Sequence, residues 1–150
     1  MTADQQDPIW IDEYLNRCLE IIAECGHMVC YVGDDPPFAY TVGLTASEDH
    51  GYELALSGLG HDTARNVLNA AADALRDTKP SEGLLMERVL VGYVVRLRRV
   101  DLQAENRATE FGTVRRVYGT VGTMWQIEYP DHKGRFHGQH GYSLTCQKQL

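Results

Sequence analysis

The chain has 150 residues, 43% of them hydrophobic and 23% charged, the balance of one globular domain that can bury its own core. Its net charge of −7 argues against general binding to a phosphate backbone, which takes a basic surface. No apolar run approaches the ~20 residues that span a bilayer, and the polar start Met1-Thr-Ala-Asp-Gln-Gln-Asp lacks the parts of a secretory signal, so the expectation is a cytoplasmic protein without membrane or nucleic-acid partners.

In chain order, Asp7-Pro8 predicts a helix start, aspartate as N-cap and proline at the first helical position. Trp10, Ile11, Tyr14, Leu15, Cys18, Ile21, Ile22 and Cys25 follow at three- and four-residue steps, an apolar stripe that Gly26 closes. His27 to Val32 alternates as a strand. Asp34-Asp35-Pro36-Pro37 then turns the chain, because proline fixes φ and brings no amide hydrogen to a ladder. Phe38 to Leu44 is the second strand, with Phe38, Tyr40 and Val42 on an aromatic and branched face and Ala39, Thr41 and Gly43 on a small one.

A polar loop with His50 leads to a third strand over Tyr52 to Leu59, and Asp62 or Thr63 begins a helix with a narrow stripe of Ala64, Val67, Leu68, Ala71, Ala72 and Leu75. Arg88 to Val100 reads as one long strand with Val89, Val91, Tyr93, Val95 and Leu97 on one face. Gln103 to Tyr118 reads as a short helix weakened by Gly112. Thr123 to Tyr129 is a last strand with Trp125, Ile127 and Tyr129 inward. The tail after it is polar and glycine-rich. The order predicts a single α+β domain over 1–150: a mostly antiparallel sheet of about five strands with two or three helices packed on it, a flexible start over 1–6 and an irregular tail over 137–150.

Charge is unevenly spread. Residues 1–87 carry 4 basic and 16 acidic side chains, residues 88–150 carry 10 basic and 5 acidic. The halves can neutralise each other across the fold, or the basic half can hold one anion. Cys18, Cys25, Cys30 and Cys146 have neither CxxC nor zinc-ribbon spacing and read as buried free thiols.

The residues that could carry chemistry are few. His132, His137 and His140, beside Asp131, are the types that ligate zinc, but they stand in an irregular segment that does not fix their spacing, and no metal is favoured. His50, Glu53 and Asp131 are the candidates for acid–base work. Ser57 lacks the frame of a nucleophile elbow, and Gly58 and Gly60 match neither a phosphate-cradling loop nor a dinucleotide fingerprint. Phe38, Tyr40, Thr41, Tyr129 and Arg135, with Arg96 or Arg98, combine aromatic walls, a hydroxyl and guanidinium groups, which suit a flat anionic or aromatic small molecule.

Pro36-Pro37-Phe38-Ala39-Tyr40-Thr41-Val42-Gly43-Leu44, followed by Tyr52-Glu53-Leu54, Gly58-Leu59, Tyr118-Gly119, Gln126, Tyr129-Pro130-Asp131 and Gly134-Arg135-Phe136, resembles the domain of unknown function 4262 family of small bacterial proteins over roughly residues 20 to 142. The resemblance implies positions rather than a reaction or a cofactor: Phe38, Tyr40, Thr41, Gly43, Glu53, Gln126, Asp131 and Arg135. The chain departs from it at His50-Gly51-Tyr52-Glu53-Leu54, one residue longer than the family's His-Pro-Glu-Leu, and at Phe136-His137-Gly138-Gln139 in place of Phe-Pro-Trp-Glu. His137 and His140 are therefore not family features.

The leading expectation is a ligand-binding domain, or an accessory or tailoring enzyme of a bacterial pathway, with its site between the Phe38–Gly43 strand and the Tyr129–Phe136 turn. The alternatives are an interaction module, immunity-like or regulatory, working as a homodimer or with a protein partner, and a flavin-linked barrel by fold analogy.

Overall fold

The computed structural model describes residues 9–103 and 110–150. Helix α1 spans Ile9–Cys25, and the stripe turns Cys18 fully inward while Trp10 stays 64% exposed. The Asp7-Pro8 start lies outside the described residues. Gly26, with φ at 90°, ends the helix by donating its N–H to the Ile22 carbonyl at 2.8 Å, the left-handed closure that glycine adopts without strain.

Strands β1 (Met28–Val32), β2 (Phe38–Val42) and β3 (Glu53–Ser57) follow, then helix α2 (His61–Ala74), strands β4 (Leu85–Leu90) and β5 (Tyr93–Arg99), helix α3 (Gly112–Tyr118) and strand β6 (Met124–Glu128). They form one six-stranded sheet in the order β1-β2-β3-β6-β5-β4, antiparallel except for the β3–β6 pair. This is the α+β single sheet expected, with one strand more.

The extra strand has a plain cause. The alternation of Val89, Val91, Tyr93 and Val95 runs through a turn: Val91 is 96% exposed and Gly92 takes φ of 85°, so the expected single strand is the β4–β5 hairpin. A period of two says nothing about where a strand folds back. The sheet is also open, with β1 and β4 as its edges, so the barrel named as an alternative by analogy is not formed. The third helix is confined to its last two turns among the described residues; positions 104–109 of the expected span lie outside them.

Both faces of the sheet are covered. Ala39, Leu54, Leu56, Val95, Leu97, Trp125 and Ile127 meet the small stripe of α2, where Ala64, Leu68, Ala71 and Ala72 are wholly buried. Close helix–sheet approach is what that stripe of alanines permits. On the other face Cys30, Phe38, Tyr40, Val42, Ala55 and Met124 pack with Phe111 and Val114 at α3. Phe111 stands edge-on to both Phe38 and Tyr40, at centroid distances of 6.2 and 5.3 Å. All four cysteines are free, but only Cys18 and Cys30 are buried; Cys25, the last residue of α1, and Cys146, in the segment after β6, are exposed.

Candidate functional site

Glu53 opens β3 and is 1% exposed. Its carboxylate accepts from the Thr41 hydroxyl at 2.7 Å, from the N–H groups of Gly43, Leu44 and Thr45 at 3.2, 3.2 and 2.8 Å, and from the Thr45 hydroxyl. Thr41 Oγ1 in turn accepts from Leu54 N–H at 2.9 Å. Glu53 therefore holds the turn that leaves β2, and neither of its oxygens is left for a substrate.

His50 is equally committed. Its Nε2 faces the Ala72 carbonyl at 2.8 Å, so that nitrogen carries the proton, and Nδ1 then accepts from the Ser47 hydroxyl at 2.8 Å. The ring clamps a loop to the end of α2.

Asp131 is fully buried in the turn after β6. It accepts from Lys133 N–H and Arg135 N–H at 2.9 Å each, from Arg135 Nε at 3.0 Å and from Ser143 N–H at 3.2 Å. Burial alone pushes its pKa up, but the Arg135 N–H and guanidinium and the N–H groups of Lys133 and Ser143 outweigh that and hold it well below the carboxylate range. Arg135 is spent on Asp131, in a 3.0 Å ion pair. The ring of His137 packs at 5.3 Å from that of Tyr142, and among the described residues no group of three His, Cys, Asp or Glu side chains is arranged to hold a metal, His132, His137 and His140 included.

Arg96 and Arg98 are drawn to Glu128, itself 1% exposed, at 2.9 and 3.6 Å. Gln126 donates to Lys148 O at 2.7 Å and accepts from Leu150 N–H at 2.8 Å, while Ser57 Oγ accepts from Lys148 N–H at 2.9 Å. The last residues thus lie as a strap across the polar half of the α3-side face.

The Thr41, Tyr129 and Arg135 site is not assembled. Alternation along β2 sends Phe38 and Tyr40 to the α3 side but Ala39 to the α2 side, and Tyr129 joins the α2-side core, its hydroxyl donating to Ser57 O at 2.8 Å. Phe38 and Tyr40 instead line a cavity of about 610 Å³ between α1, the β1–β2 turn, α3 and the strap. Thr41, Tyr129 and Arg135 are not among its walls. Trp10 and Tyr14 come from α1, Asp34 and Asp35 from the turn, Thr113 and Arg116 from α3, and Lys148 and Leu150 from the strap. Tyr14 Oη and Thr113 Oγ1 meet at 3.2 Å across it, and Thr113 N–H donates to Tyr40 Oη at 3.3 Å. Burial pushes Tyr40 up to about 12, so its phenol stays neutral.

A family model, the domain of unknown function DUF4262, matches residues 21–143. The chain belongs to that family. No curated protein and no solved structure matches it. In this DUF4262 domain the motif positions are mostly scaffold. Thr41 and Glu53 hold one turn and Asp131 and Arg135 another, while Gln126 fastens the strap. Gly43 takes φ of 127° with a Cβ position only 2.7 Å from His27 Cα. Phe38 and Tyr40 are the two motif residues that face the cavity, and part of its wall lies outside the matched region: Trp10, Ile11 and Tyr14 before it, Lys148 and Leu150 after. Sequence reasoning missed these because they are far apart along the chain. The one local signal was Trp10, a large indole near the start of an amphipathic stripe.

Proposed function

We propose that this DUF4262 domain is a cytoplasmic small-molecule-binding domain whose site is the cavity between α1, β2, α3 and the strap. The observation that carries the reading is a hollow of about 610 Å³ with the stacked Phe38 and Tyr40 rings as one wall and hydroxyls and charges around them. Trp10 and Tyr14, 64 and 41% exposed, add accessible aromatic surface from α1, which suits a planar organic ligand. The role is binding rather than catalysis, since His50, Glu53 and Asp131 are all committed elsewhere and none lines the hollow.

A thermal-shift screen of small aromatic compounds tests this. A ligand at 100 times its Kd adds about 2.7 kcal/mol, roughly 5–10 °C for a domain of this size. Gly112→Trp is the control: Gly112 lines the cavity and a Cβ there meets nothing within 4 Å, so an indole is accepted without backbone strain and adds bulk at the wall of the hollow. Shifts that vanish in Gly112→Trp support the reading; no shift from any compound overturns it.

A second reading, an interaction module, draws on the β4–β5 hairpin. There Leu85, Val91, Tyr93 and Val94 are exposed, at 60, 96, 43 and 37%. A homodimer by light scattering that Val91→Lys dissociates would favour this role; a monomer at high concentration removes it.

A further inference from the structure

We infer that the ligand of the cavity is an organic cation, an amine carried on an aromatic or aliphatic body, an inference that rests on the cavity being the binding site. The expectation of an anion depended on Arg96, Arg98 and Arg135, and those guanidinium groups are held by Glu128, Asp131 and, for Arg98, Gln126 and the Leu150 carbonyl; none of the three is among the walls of the hollow. The charges on its walls are Asp34, Asp35 and Glu110 against Arg116 and Lys148. Glu110 and Arg116 are both engaged within the protein. Asp34, Asp35 and Lys148 are exposed, and none of their side chains forms an ion pair among the described residues. Uncommitted charge at the mouth is thus negative.

The rings point the same way. Trp10 and Tyr14 line the hollow and are 64 and 41% exposed, and an accessible aromatic face carries partial negative charge that attracts an ammonium group within about 6 Å. Aromatic walls with carboxylates at the rim select a cation twice over, by quadrupole and by Coulomb attraction. A carboxylate ligand would meet both Asp34 and Asp35 at the entrance with one uncommitted lysine to offset them. The hydroxyls of Tyr14, Tyr40 and Thr113 can hydrogen-bond either class and do not discriminate.

The experiment compares three probes that share one phenethyl body by calorimetric titration: phenethylamine, phenethyl alcohol and 3-phenylpropionate. Phenethylamine is expected to bind about tenfold tighter than the alcohol at low salt, and the acid more weakly than either. In 0.5 M salt the gap between amine and alcohol should shrink, because rim charges are screened. Asp34→Asn/Asp35→Asn should bring the amine down to the alcohol's affinity and leave the alcohol unchanged. An amine no tighter than the alcohol, or an acid tighter than both, overturns the inference while the cavity stands. If no probe binds, the binding-site reading itself falls and takes this one with it.

Discussion

Thr41 Oγ1 donates to Glu53 Oε1 at 2.7 Å and accepts from Leu54 N–H at 2.9 Å, so one hydroxyl locks a carboxylate to the strand it grows from. Glu53 is the hub of that cluster, and losing it removes the carboxylate acceptor of three backbone N–H groups and two hydroxyls at one turn. Glu53→Ala should cost about 3 kcal/mol in urea unfolding, with Thr41→Val costing about 1–2 kcal/mol. A loss under about 1 kcal/mol in Glu53→Ala would mean that the β2 turn is held by packing alone.

Gly43 is the next weak point. Its φ of 127° disfavours any side chain, and an added Cβ meets His27 Cα at 2.7 Å and Gly26 O at 2.8 Å, which are backbone atoms that cannot swing away. Gly43→Val should destabilise by about 3 kcal/mol or more. Normal melting would show that α1 and β1 can separate from the end of β2.

Asp131 predicts the acid limb. Its folded pKa is depressed, so the stability it contributes is present above its unfolded value of ~3.9 and is lost as pH falls through the folded value. Asp131→Asn should lower stability at neutral pH and flatten the loss between pH 4 and pH 2 seen in acid titration followed by tryptophan fluorescence. An unchanged acid limb would place the loss on other carboxylates.

The tyrosines predict the alkaline limb with the opposite sign. Burial pushes Tyr40 and Tyr52 up to about 12 and raises Tyr14 and Tyr129 further. Such a group stabilises the fold below its unfolded pKa of ~10, and that contribution is lost as pH rises through the folded value. Absorbance at 295 nm should show these phenols ionising only above pH 11, together with unfolding. Ordinary titration of every phenol near pH 10 would contradict the burial of Tyr40 on the α3 side of the sheet and of Tyr52 and Tyr129 on the α2 side.

How much of this was legible in the residues can be judged element by element. Helical spacing alone picked out the stripe of α2, since Ala64, Leu68, Ala71 and Ala72 at three- and four-residue steps have one way to be buried together. Alternation alone assigned Phe38, Tyr40 and Val42 to one face of β2. Periodicity failed at Val91, where hydrophobic alternation continued through a hairpin turn and only Gly92's positive φ betrayed the reversal.

For the site, side-chain chemistry named sound residue types but not their company. Arg135 looked like a ligand contact because sequence shows a charge and not the Asp131 four residues earlier that consumes it. Local pattern determined this protein's elements, its faces and its family, because those depend on neighbours within a turn or two. The cavity was decided by tertiary structure, because Trp10, Asp34, Tyr40, Thr113 and Lys148 become neighbours only when the sheet brings α1, α3 and the closing strap to the same face.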